Sequence, residues 1–149
     1  MADFFYGEAF SRNLGWVTEW EQQILRHKRV AIVGMGGVGG TYLTALARLG
    51  IENFHIAEFD YFELANFNRQ VGATMDTIDQ PKIDVMEKMA RAINPDLRVT
   101  SFREGVTPEN VGRFNADYSI SVLSQKPRKD TRATPNISYR SRSDLFGDI

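Results

Sequence analysis

The chain has 149 residues, 42% hydrophobic and 25% charged, which is the make-up of one globular domain with a real core. A net charge of -1 argues against a broad nucleic-acid-binding surface. The lack of any cysteine excludes disulfides, thiolate zinc sites and a cysteine nucleophile.

The N-terminus, MADFFYGEAF, has no basic segment and no long apolar run, so it does not read as a signal peptide. No apolar stretch is long enough to cross a bilayer. A cytoplasmic location and no membrane partner are the expectations. Phe4, Phe5, Tyr6 and Phe10 leave two readings open, a dimer-contacting arm or a loose apolar terminus.

Gly15–Lys28 is predicted as a helix with Trp16, Trp20, Gln23, Ile24 and His27 along one face. Arg29–Val33 is a first strand. Val38–Leu49 is a helix that buries Leu43, Leu46, Ala47 and Leu49 and stops at Gly50. Asn53–Phe59 is a second strand, and Asp60–Thr77 is long and irregular. A helix from Pro81 to Ile93 begins with proline and is followed by Pro95. Leu97–Phe102 is a third strand, Thr107 caps a short helix, and Asp117–Leu123 is a fourth strand. Alternating strands and helices predict an α/β fold with a parallel sheet. Residues 1–28 form an N-terminal arm and helix, 29–123 the domain proper, and 124–149 a polar tail expected to be disordered. A sheet ending at strand four is short for this class, so the domain's end is expected to be truncated or replaced.

The run Arg29–Gly40, RVAIVGMGGVGG, carries the chemistry. An apolar strand ends at Gly34, and Gly36, Gly37 and Gly39 open a helix whose first amides have no partner within it. Such a turn receives phosphate. Glu58 and Asp60 share one side of the second strand's carboxyl end, placed for ribose hydroxyls and for a metal or cationic partner. Asn66-Phe-Asn-Arg-Gln70 and Lys82 decide the kind of nucleotide. A guanidinium forks onto phosphate oxygens, and a lysine at a helix start adds a second charge. No side chain is nominated as a metal ligand. His27 and His55 are read as structural, and Arg128–Arg142 as part of the solvated tail.

Residues 29–112 resemble the ThiF/MoeB/HesA-like adenylyltransferases, bacterial relatives of ubiquitin-activating enzymes. The matching pieces are GMGGVGG, E-F-D, N-F-N-R-Q, D-Q-P-K at Asp79–Lys82 and A-I-N-P at Ala92–Pro95, in fixed order. The resemblance implies a Rossmann-like fold that binds ATP and Mg²⁺. It implies adenylation of the C-terminal carboxylate of a ubiquitin-like (ThiS/MoaD-like) carrier protein, with release of pyrophosphate. Gly34, Gly36, Gly37 and Gly39 would form the phosphate loop, with Gly37 in contact. Glu58 would meet the ribose where the family usually has Asp. Asn66, Arg69, Gln70 and Lys82 would hold the triphosphate and help expel pyrophosphate. Arg12 would reach a neighbouring protomer's site, which implies a homodimer.

The chain departs from the pattern in three places. The family's metal-binding Asp after strand four is absent from Ser121–Gln125, and Asp117 and Asp130 fit that place poorly. The crossover segment that binds the protein substrate and the CxxC zinc ligands are missing. Asp79 replaces a usual Gly. Two other readings follow from these residues: a nucleotide-binding remnant without catalysis, and an NAD-dependent oxidoreductase that uses the glycines and Glu58.

Overall fold

The computed structural model describes residues 3–114 and the backbone of Tyr118–Ser121. The elements run α1 (Tyr6–Ala9), α2 (Glu19–His27), β1 (Arg29–Val33), α3 (Gly37–Arg48), β2 (Asn53–Ala57), α4 (Lys82–Ile93), β3 (Arg98–Phe102) and β4 (Tyr118–Ser121). All strand pairs are parallel, in the order β3-β2-β1-β4. β1 is therefore central, and its Val30, Ala31 and Ile32 are all buried, as a strand covered on both faces requires. The edge strand β3 instead alternates between exposed and less exposed residues. The core joins Val30, Ile32, Leu43, Phe54, Ile56, Phe62, Ile83 and Met86, tying α3 and α4 to the sheet. The α/β, Rossmann-like architecture expected from the sequence is the one observed. Along the sheet, β2 and β3 lie on one side of β1 and β4 on the other. The strand order thus switches between β1 and β4, and the crevice at their carboxyl ends, beside the loop after β1, is where open α/β sheets hold ligands.

Several local expectations need correction. α2 begins at Glu19, not Gly15, because Thr18 caps it: the Glu21 amide donates to Thr18 Oγ1 (3.2 Å) and the Thr18 amide to Glu21 Oε2 (2.8 Å). Its docking is polar. Trp16 and Trp20 are 93% and 74% exposed, whereas Gln22 is buried and donates to Tyr6 Oη and the Leu49 carbonyl. Tyr6 in turn donates to the Gly50 carbonyl (2.7 Å), and Phe10 packs beside its ring. The arm thus folds onto the rest of its own chain through Tyr6 and Phe10. Leu49, expected in the core, is exposed as the C-cap of α3.

β2 ends at Ala57 rather than Phe59, because Glu58 turns inward. The irregular Asp60–Thr77 segment holds short 3-10 turns at Leu64–Asn66 and Met75–Thr77. The stretch after Thr107 forms turns and no regular helix. There Asn110 folds back, accepts from the Thr107 amide and donates to Glu104 and to the Gly105 carbonyl. Asp79 has φ 64, the left-handed region that the usual Gly enters more freely. The fourth strand is observed over Tyr118–Ser121, and the 124–149 tail lies outside the described residues.

His55 faces away from the α3/α4 side and packs against the paired rings of Phe102 and Phe114. Burial, with Arg29 nearby, holds its pKa below the ordinary 6.5. The unfolded chain therefore takes up a proton here before the folded one does. Stability is expected to fall as pH drops through 6.5 toward the depressed folded value. Urea melts between pH 7.5 and 5 should show this slope in wild type and a shallower one in His55→Gln.

Candidate functional site

The glycine turn is fixed by contacts that leave no room for side chains. The Gly34 amide donates to the Ala57 carbonyl (2.8 Å), so β1 stays paired one residue past its end, and Gly34 then turns with φ 91. A Cβ on Gly39 would sit 1.7 Å from the Gly34 carbonyl oxygen, and one on Gly40 would press on Met86 and Met35. The loop and α3 are thereby packed hard against each other, with Gly36 as the helix N-cap. The first-turn amides of this 12-residue helix have no partner inside it and face the carboxyl edge of the sheet.

Gly37 lies directly against Arg69: a Cβ there would be 3.1 Å from the Arg69 carbonyl oxygen and 3.5 Å from its Cγ. The Arg69 guanidinium is exposed and donates to the Ala65 carbonyl and to Asn68 Oδ1, each at 2.9 Å. These are contacts within its own loop, and a polyanion at Gly37 can compete for the group. Asn66 is buried and its Oδ1 accepts from the Glu63 amide (3.0 Å), which closes the turn that presents Arg69. Gln70 is also buried, and its Oε1 has no partner among the described residues. A buried unpaired acceptor is costly unless a ligand or water meets it.

Lys82 opens α4. Its amide donates to the Asp60 carbonyl (2.9 Å) and its buried ammonium pairs with Asp60 Oδ2 (2.8 Å). Asp60 itself is largely exposed, so one side of the pair faces solvent at the rim. Glu58 is buried and bonded to the glycine loop through Met35. The residues nominated from the motifs therefore converge on one rim: Gly34 to Gly39, Glu58, Asp60, Asn66, Arg69, Gln70 and Lys82. Arg12 is the exception. Its neighbour Asn13 donates to the Leu49 carbonyl, at the far end of α3. That end is about 18 Å from the glycine loop, so the site of this same chain lies out of Arg12's reach.

Two contributors escaped the sequence reading. A Cβ on Gly72 would strike Phe62 (2.6 Å) and Met86 (2.7 Å), so this glycine lets the Asn66–Gln70 block settle on the core. Met35 is fully buried and lends its amide to Glu58. Met35 holds the variable middle position of G-x-G, and Gly72 lies outside the motifs, so neither role was signalled. An apolar depression of about 410 Å³, lined by Tyr6, Phe10, Leu14 and Trp20, belongs to the arm, away from this rim. Among the described residues no group of three or more His, Asp or Glu side chains comes together to hold a metal. Also among the described residues, no helix is long and apolar enough to cross a membrane.

The model of the family described as "ThiF family" matches residues 10–124. A tRNA threonylcarbamoyladenosine dehydratase of Bacillus subtilis is 34% identical over 114 residues, covering 76% of this chain and 44% of that protein. The sulfur carrier protein ThiS adenylyltransferase of the same organism is 36% identical over 103 residues, 68% of this chain and 31% of that one. The crystal structure of Escherichia coli tRNA N6-threonylcarbamoyladenosine dehydratase in complex with ATP superposes with a TM-score of 0.75 at 32% identity, over 80% of this chain and 50% of that one. The chain spans less than half the length of the two curated relatives.

Proposed function

The chain belongs to the ThiF family, and on that footing we propose that it binds ATP and transfers the adenylyl group to a carboxylate, releasing pyrophosphate. The observation that carries this reading is the meeting of Gly37, at the start of α3, with Arg69. A carboxylate is already a nucleophile, so the protein's work is to position the reactants and neutralise phosphate charge. The amides at the start of α3 receive phosphate oxygens. Arg69 swings from its loop contacts onto the departing pyrophosphate, and Lys82 adds charge from the start of α4. Gln70 and Asn66 keep that block in place. Arg12 serves the site of a second protomer in a homodimer, since its own site is out of reach. An NAD-dependent oxidoreductase would leave Arg69, Gln70 and Lys82 without a task.

The acceptor we propose is the C-terminal carboxylate of a ThiS/MoaD-like carrier protein, as the ThiS adenylyltransferase relative suggests. A second reading, a modified tRNA as acceptor, is favoured by the dehydratases among the relatives and departs from the expectation of no nucleic-acid partner. The test is exchange of labelled pyrophosphate into ATP with Mg²⁺, supplying either a carrier ending in a free carboxylate or tRNA bearing threonylcarbamoyladenosine. Exchange that depends on the carrier supports the first acceptor. Turnover that depends on the tRNA supports the second. A folded chain that binds ATP but exchanges with neither is the non-catalytic remnant. A folded chain stabilised by NAD and not by ATP overturns the proposal.

A further inference from the structure

The resemblance assigns Glu58 to the nucleotide's sugar, but its surroundings give it other work. β2 ends at Ala57, and the next side chain turns inward until it is 5% exposed. Oε1 accepts from the amides of Phe59 (2.9 Å) and Asp60 (3.1 Å). Oε2 accepts from the amide of Met35 (2.9 Å), on the neighbouring strand's loop. A carboxylate has about four acceptor positions, and three here are occupied by main-chain donors.

These bonds differ in what they need. Those to Phe59 and Asp60 are local, and an aspartate makes such bonds to the next two amides readily. The bond to Met35 crosses 23 residues of sequence and uses the extra methylene that separates Glu from Asp. It follows directly on the Gly34 amide's bond to the Ala57 carbonyl. Two successive amides of the loop are thus pinned to the end of β2, one by main chain and one by Glu58. Met35 has no exposed surface, and the next residues, Gly36 and Gly37, begin the anion-receiving helix end.

We propose that Glu58 is a positioning residue, which holds the phosphate-binding loop in its receiving shape through the Met35 amide. This rests on the nucleotide-binding reading above. It gives a reason for Glu where the family usually carries Asp: here the longer side chain is the one that spans the gap to the loop.

Glu58→Asp keeps the charge and the local bonds but loses the reach. Glu58→Gln keeps the reach but turns one acceptor into a donor, so it cannot serve all three amides. The experiment measures, on the full chain, the affinity of wild type and both variants for ATP and for inorganic tripolyphosphate, which has no sugar. It also follows amide hydrogen exchange at Met35. The expected result for Glu58→Asp is a loss of about tenfold for both ligands in step, as for one charge-assisted hydrogen bond, with faster exchange at Met35. Should that variant fail to fold, Glu58→Gln is expected to show the same parallel loss. Loss for ATP with tripolyphosphate unchanged would make Glu58 a sugar ligand and overturn the proposal. A lower melting temperature with both affinities intact would reduce it to a structural role and also overturn it. A folded wild type that binds neither ligand removes the nucleotide reading and this inference together, whereas wild-type binding that survives Glu58→Asp removes this inference alone.

Discussion

Arg69→Ala is expected to slow ATP–pyrophosphate exchange by about a hundredfold or more, the usual loss when one preorganised charge on a developing anion is removed. The expectation rests on where the side chain starts. Its Cγ lies against Gly37, and its guanidinium is held by two bonds within its own exposed loop. Because the group is exposed and its partners are local, stability should change by less than about 0.5 kcal/mol. The separation between a large kinetic effect and a small thermal one is the signature. Stopped exchange with an unchanged melting temperature fits it. Exchange within a few-fold of wild type would show that Arg69 has no part in charge neutralisation. Arg69→Lys should recover only part of the rate, since an ammonium cannot fork onto two oxygens.

Gly39→Ala is expected to be the most damaging single methyl group in the phosphate loop. Its Cβ would lie 1.7 Å from the Gly34 carbonyl oxygen and 2.9 Å from the Gly34 carbonyl carbon. Both are main-chain atoms of a loop pinned to β2, so nothing flexible can give way. The cost should reach about 3 kcal/mol, the upper end of ordinary overpacking, and lower the melting temperature by roughly 10 °C. Gly37→Ala is the informative contrast. Its Cβ meets the Arg69 carbonyl at 3.1 Å, on a loop that can shift by a few tenths of an ångström. That variant should fold well and lose nucleotide affinity, because Arg69 is pushed off the helix end. Equal melting temperatures for Gly39→Ala and wild type would contradict the packing described for the turn.

What could be read in the sequence was what short-range pattern decides. β1 was legible to the residue, because a continuous apolar run ending in glycine describes a central strand and its turn. α3 and α4 were legible through their periodicity, Gly50 and Pro81. The placement of Arg69 against the glycine turn followed from ordered motifs, even though the segment between them has no regular period. Side-chain choices made across the sequence were not legible. Whether Lys82 pairs with Asp60, 22 residues away, or Glu58 with Met35, depends on which strands become neighbours. The docking of α2 was misread for the same reason. Two tryptophans outweigh one glutamine in any apolar pattern, yet Gln22 meets Tyr6 and Leu49, and the tryptophans face outward.

The shortest route to the central claim is calorimetric titration of the folded full chain with ATP and with AMP, in wild type and in Lys82→Ala. If helix-start amides, Arg69 and Lys82 grip the triphosphate, wild type prefers ATP over AMP by more than about tenfold, and the variant loses most of that preference, as a missing charge-assisted contact predicts. Equal affinity for ATP and AMP in wild type, or a preference untouched by Lys82→Ala, would contradict it.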